Sequence, residues 1–154
     1  MKTKKLTFLL SLTFLFLFSG SVYGQEEVKK EYYDSGKLKK LVPYNGFGTY
    51  WYENGVKYSE VLFKNGKREG LGIGWYEDGV KGRETHYKND EKEGLETWWY
   101  SRGHKWSQVS YKNGKKEDLE TVWYKTGEKL RETHYKNGKR EGLSTWWFKD
   151  GVKN

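Results

Sequence analysis

The sequence predicts an all-β chain of tandem hairpins, and three observations carry that prediction. The first is a fixed stride. Gly55, Gly79, Gly103, Gly127 and Gly151 recur at one constant 24-residue interval, as do Trp51, Trp75, Trp99, Trp123 and Trp147, and Leu71, Leu95, Leu119 and Leu143. A period of this size, kept without insertion, marks a repeat array. The second is punctuation. Asn54-Gly55, Asp78-Gly79 and Asp150-Gly151 recur at one place in the unit, and Asn65-Gly66, Asn113-Gly114 and Asn137-Gly138 at another. Such pairs tolerate the positive φ that two-residue hairpin turns require. The third is composition. Aromatics make up 18% of the 154 residues, beside 19 glycines, one proline and a mean hydropathy of −1.05. That mixture suits short aromatic-laddered strands and tight turns, not a two-layer globule.

Residues 1–24 are set apart from the fold. A basic start with Lys2, Lys4 and Lys5 precedes an apolar run from Leu6 to Phe18, and small residues follow up to Gly24. This is the layout of a cleaved secretory signal peptide, and the run is too short to span a bilayer. The expected localisation is secreted or periplasmic. With no cysteine in the chain, neither a lipid-bearing cysteine nor a disulfide is available. Loss of the segment lowers the formal charge from +8 to +5. Residues 25–31 read as a short linker.

Residues 32–154 read as the repeat domain. Its first unit is shortened, because Gly36 and Gly46 stand closer together than Gly55 and Gly70 do, with Pro43 in the gap. An atypical terminal repeat suits a cap. Four full-length units follow, then a truncated one whose Trp146 to Lys149 stretch is expected to be an open edge. Within a unit, a strand such as Leu95–Tyr100 leads through a short turn to a second, such as Lys105–Tyr111, and a longer turn ends the unit. Alternation places Leu71, Ile73, Trp75 and their repeats on one parity. Val61, Phe63, Thr85, Tyr87, Val109, Tyr111, Thr133 and Tyr135 are expected to join them on a structural face.

Catalytic and metal-binding readings find little support. His86 and His134 are the same repeat position two units apart, about 19 Å across four strands, which is too far to share a metal. Glu69, Glu93, Glu117 and Glu141 form a column of near-identical environments, unlike a catalytic carboxylate pair, and are expected to meet neighbouring lysines and arginines. No cysteine nucleophile, phosphate loop or Ser-His-Asp set is present. The expectation is a non-enzyme without cofactor or metal.

The string Y-x-N-G, then K-R-E-G-L, then an aromatic pair, repeated at the same stride from about Tyr32 to Asn154, resembles the bacterial variant of the MORN repeat. The resemblance implies successive hairpins laid side by side in one elongated, twisted antiparallel sheet. It also implies roles in protein contact or membrane association. Asp118 and Asp90-Glu91 stand where the pattern has glycine.

Two surfaces are candidates for contact. One is an aromatic platform of Tyr76, Trp98, Tyr100, Trp106, Tyr124, Trp146 and Phe148. The other is a set of basic loops: Lys64, Lys67 and Arg68, then Lys112, Lys115 and Lys116, then Lys136, Lys139 and Arg140. Residues 64–69, 112–117 and 136–141 each carry +2, whereas residues 88–93 carry −1. The leading expectation is an exported module that binds an unidentified protein or assembles with itself in the cell envelope. The alternative is a binder of envelope polysaccharide or an anionic lipid surface. Nucleic acid is excluded as a partner by export.

Overall fold

A computed structural model describes residues 28–154 and contains one open antiparallel sheet of eleven strands in sequence order. The strands are β1 (Lys29–Tyr32), β2 (Leu38–Val42), β3 (Gly46–Trp51), β4 (Lys57–Lys64), β5 (Lys67–Trp75) and β6 (Lys81–Lys88). They continue as β7 (Glu91–Trp99), β8 (Lys105–Lys112), β9 (Lys115–Trp123), β10 (Lys129–Lys136) and β11 (Lys139–Trp146). The proposed signal peptide lies outside the described residues. β1 begins inside the stretch expected to be linker. At the other end, Phe148 N–H bonds Val152 C=O at 2.9 Å and Trp147 bridges Lys153, so the last turn closes and a return strand starts. The open edge is therefore β11 up to Trp146.

Two turn types alternate along the sheet. One edge carries the tyrosine turns, in which Tyr52 C=O accepts Gly55 N–H and Asn54 Oδ1 accepts Val56 N–H, both at 2.9 Å. The other edge carries two-residue turns with both central residues at positive φ, as at Asn65 (53°) and Gly66 (74°). That conformation matches the right-handed twist of the flanking strands. In the turn that lacks glycine, Asp90 takes the same conformation at 73°.

The two-residue turn also corrects the expected faces. It sets Lys64 opposite Lys67, so odd-numbered residues of β4 oppose even-numbered residues of β5. Val61 therefore sits between Gly48 and Gly72, not beside Leu71 and Ile73. The row continues through Thr85, Glu96 and Val109, and Glu120 opposite Thr133 extends it. This groove face holds the core, with Val61, Phe63 and Val109 each no more than 8% exposed. Gly48 admits the Phe63 ring, which lies 2.4 Å from where a Cβ would stand.

The opposite face carries Thr49, Glu60, Ile73, Glu84, Thr97, Gln108 and Thr121 in register. Beside that row, Lys57, Lys81, Lys105 and Lys129 lie over the rings of Trp75, Trp99, Trp123 and Trp147 at 4.4–5.9 Å. The leucine column is not structural as expected. Leu71 and Leu95 are 40% and 43% exposed, and Leu143 is 93% exposed. Each follows a bulge residue at positive φ, namely Gly70, Gly94 or Gly142, and the bulge takes the leucine out of the ladder with the preceding strand.

Candidate interaction surfaces

Hydrogen-bonded ladders lock neighbouring hairpins together along both edges. On the tyrosine-turn edge, the hydroxyls of Tyr33, Tyr52, Tyr76, Tyr100 and Tyr124 donate to the backbone oxygens of Trp51, Trp75, Trp99, Trp123 and Trp147 at 2.6–3.0 Å. On the other edge, Glu69, Glu93 and Glu117 each accept the backbone N–H of the asparagine in the next turn, at 2.7–2.9 Å. The expected partners of this carboxylate column were basic side chains. The turn geometry supplies a closer and fixed donor instead.

These ladders sort the candidate residues. Tyr76, Tyr100 and Tyr124 have their hydroxyls committed to the frame, and Phe148 occupies the same place in the following turn, half exposed. The structure brings Trp98, Trp106 and Tyr100 into one cluster. The two indoles meet edge-on at 5.8 Å and Tyr100 lies 6.2 Å from Trp106. Trp146 stands apart on β11, beneath the Arg131 guanidinium at 5.4 Å.

Among the basic loops, Arg68 and Lys116 are not free. Arg68 Nε bonds Asp90 at 3.0 Å, and its guanidinium stacks on Tyr87 at 4.4 Å. The Arg68 backbone N–H, and then its side chain, hold the Asp90 carboxyl below its ordinary pKa. Lys116 pairs with Glu120 and lies over Tyr135. Lys64, Lys67, Lys112, Lys115, Lys136, Lys139 and Arg140 are all exposed and form no ion pair among the described residues. In three turns, lysines stand directly opposite each other: Lys64 and Lys67, Lys112 and Lys115, Lys136 and Lys139. Facing like charges destabilise a hairpin.

Beside this lysine edge runs an apolar stripe whose leucines were expected on the structural face. Phe47 is 60% exposed and precedes Leu71, Leu95 and Leu143 in the same repeat position. The signal for it was present in the sequence as a leucine next to the bulge glycine.

The groove face holds residues the sequence did not single out. Glu96 and Glu120 are 3% and 6% exposed. Glu96 accepts bonds from Thr85 at 2.9 Å and Lys92 at 2.7 Å. Burial pushes its carboxyl up, but these donors outweigh burial and hold it below the ordinary value. Burial and the neighbouring Glu96 push the Tyr111 phenol up. Glu120 accepts from Lys116 and, at 2.7 Å, from Arg131. The carboxylates are thus committed as structural acceptors.

Comparison with protein families adds one match. The model described as MORN repeat variant matches residues 28–45, 48–65 and 92–113. Each match covers a strand, a tyrosine turn and the return strand, so the family's unit is the hairpin centred on that turn. The chain carries MORN variant repeats. The hairpins at residues 72–89 and 120–137 repeat the same MORN geometry. MORN repeats form an interaction module for proteins or membrane lipids, not a catalytic domain, and no enzyme family is matched. Among curated proteins, no match is found.

Proposed function

We propose that this chain is a non-enzymatic docking module of the cell envelope that seats its two-residue-turn edge on an anionic membrane surface. The observation that carries this reading is the pairing of unneutralised lysines with an exposed apolar stripe on one edge. Cations flanking an apolar strip are the chemistry of interfacial binding. Protein interfaces, by contrast, are depleted of lysine at their centres. The N-terminal segment, read as an export signal, supports the envelope location.

Twist sets the size of the contact. Adjacent strands rotate by roughly 20–25°, so a flat surface meets about two units at a time. The units that include residues 112–119 and 136–143 are consecutive. They offer Lys112, Lys115, Lys136, Lys139 and Arg140, with Leu143 beside them. At about 1 kcal/mol per cation near an anionic surface, these give about 5 kcal/mol. Binding is therefore modest, and salt weakens it.

The test is vesicle co-sedimentation with phosphatidylcholine alone and with added phosphatidylglycerol, at low and high salt. The chain should pellet only with the anionic vesicles at low salt, and Lys112→Glu with Lys115→Glu should release it. Leu143→Ser should weaken binding without a change in melting temperature. Equal binding to both vesicle types, or to neither, rejects the reading.

A further inference from the structure

Beneath the 24-residue stride the groove face has a second period, twice as long. Along the first strands of successive units the same position reads Tyr50, Gly74, Trp98, Val122, Trp146, alternating large and small. The return strands alternate with it, KYSEVLFK and KWSQVSYK at β4 and β8 against KGRETHYK and KLRETHYK at β6 and β10. Neither edge ladder needs this alternation, because both ladders repeat in every unit.

The alternation builds the same depression twice. In one groove, of about 160 Å³, Tyr50 and Tyr58 stand over Val61 with Arg83 beside them. In the other, of about 560 Å³, Trp98 and Trp106 stand over Val109 with Arg131 beside them, each residue two units further on. The larger volume lies in the range of small-ligand sites. Trp98 and Trp106 meet at 75°, making a corner with Trp106 43% exposed. Among the lining residues, Glu96 and Glu120 are balanced by Lys116 and Arg131. Arg131 Nε is buried and meets no acceptor within the described residues. A buried donor without a partner is costly unless a ligand or water supplies the acceptor.

We infer that this face is a binding groove for an uncharged, extended glycan chain, with the Trp98–Trp106 corner and Arg131 as its principal subsite. Indole walls take the apolar face of a sugar ring, and a hydroxyl oxygen supplies the acceptor that Arg131 Nε lacks. A floor whose charges cancel selects a neutral polyol over a polyanion. Equivalent subsites lie four strands apart, roughly 19 Å, about the length of an extended tetrasaccharide, so one chain lying along the sheet reaches both. This surface is separate from the lysine edge.

The experiment titrates the full mature chain with chitohexaose, cellohexaose, xylohexaose and mannohexaose, and with heparin as a polyanion control, following tryptophan fluorescence and calorimetric heat at low and high salt. At least one neutral oligosaccharide should bind saturably, with little dependence on salt. Trp106→Ala should weaken that binding about tenfold or more while the melting temperature stays close to wild type. Arg131→Lys should weaken it too, because the lysine keeps the charge but not the Nε donor. Failure to bind any of the four neutral sugars overturns the inference, as does binding that survives Trp106→Ala. Binding confined to heparin and abolished by salt also overturns it and assigns the site to the lysine edge. Capture of an extended peptide by this groove, competing with no sugar, replaces the glycan with a protein partner.

Discussion

Removing the hydroxyls of the tyrosine ladder tests the claim that hairpin-to-hairpin hydrogen bonds, more than a core, hold the array together. Tyr76, Tyr100 and Tyr124 reach the next unit at 2.6, 3.0 and 3.0 Å. Phenylalanine at each place keeps the ring and removes one bond, at a cost of about 0.5–1.5 kcal/mol. The three sites are about 10 Å apart across two strands, far enough for their effects to add. The triple variant should therefore lose about 1.5–4.5 kcal/mol in urea unfolding followed by circular dichroism. A single variant should melt lower by a few degrees. Phe148→Tyr is the control, since the residue occupies the same place with no hydroxyl bond to lose. A triple variant within a few tenths of a kcal/mol of wild type would refute the reasoning, and so would a control that shifts as far as the single variants.

Other perturbations address the frame one contact at a time. Asp118 holds φ 61° where Gly70, Gly94 and Gly142 hold 71°, 92° and 72°. Asp118→Gly should relieve left-handed strain and leave stability level or raised by up to about 1 kcal/mol in chemical denaturation. Asp90, with its pKa lowered in the fold, contributes stability above its unfolded value near 3.8 and loses it as pH falls through the folded value. Asp90→Asn should flatten the acid limb of a stability–pH curve there. Gly48→Ala drives a methyl group into the Phe63 ring and should cost about 1–3 kcal/mol, read as a lowered urea midpoint. Glu93→Gln should weaken the cap on Asn113 N–H and raise amide exchange in that turn before it lowers the global midpoint.

Repeat length and hairpin positions were legible in the sequence, because glycine and asparagine mark turns for local steric reasons, and the single-sheet architecture followed from the family resemblance. Face assignment failed for an equally simple reason. Val61 and Leu71 share a parity, but a two-residue turn pairs odd with even residues, so they lie on opposite faces. Arithmetic on Lys64 and Lys67 would have shown it. The exposed leucines were harder to place, since their outward turn comes from the positive-φ residue before each one. The partition of the basic residues was not legible. Arg68 and Lys116 look like Lys64 and Lys112 in sequence, but the adjoining turn sets Asp90 against Arg68, and Glu120, four residues on along β9, reaches back to Lys116. The alternation over two units was in plain view, masked by the stronger signal of the single stride.

How the array is stabilised bears on what its faces are free to do. A one-layer sheet buries little, and here the buried apolar side chains come down to Val61, Phe63 and Val109 among the described residues. Stability then rests on bonds repeated in each unit at the two edges, where tyrosine hydroxyls and glutamate carboxylates reach the adjoining turn. Each interface is local, and stability is close to a sum over neighbours. Groove-face positions beside this small core are therefore less bound to that duty. Substitution at Tyr50, Gly74, Trp98 or Val122 need not break an edge bond. The alternation runs through these positions and through Val61, Thr85, Val109 and Thr133, doubling the period that the edge bonds impose, so its cause lies outside the edges. A ligand that spans two units supplies one. If Trp98 and Val122 could be exchanged with no loss except stability, that cause would lie in packing, and the groove would be scaffolding like the edges.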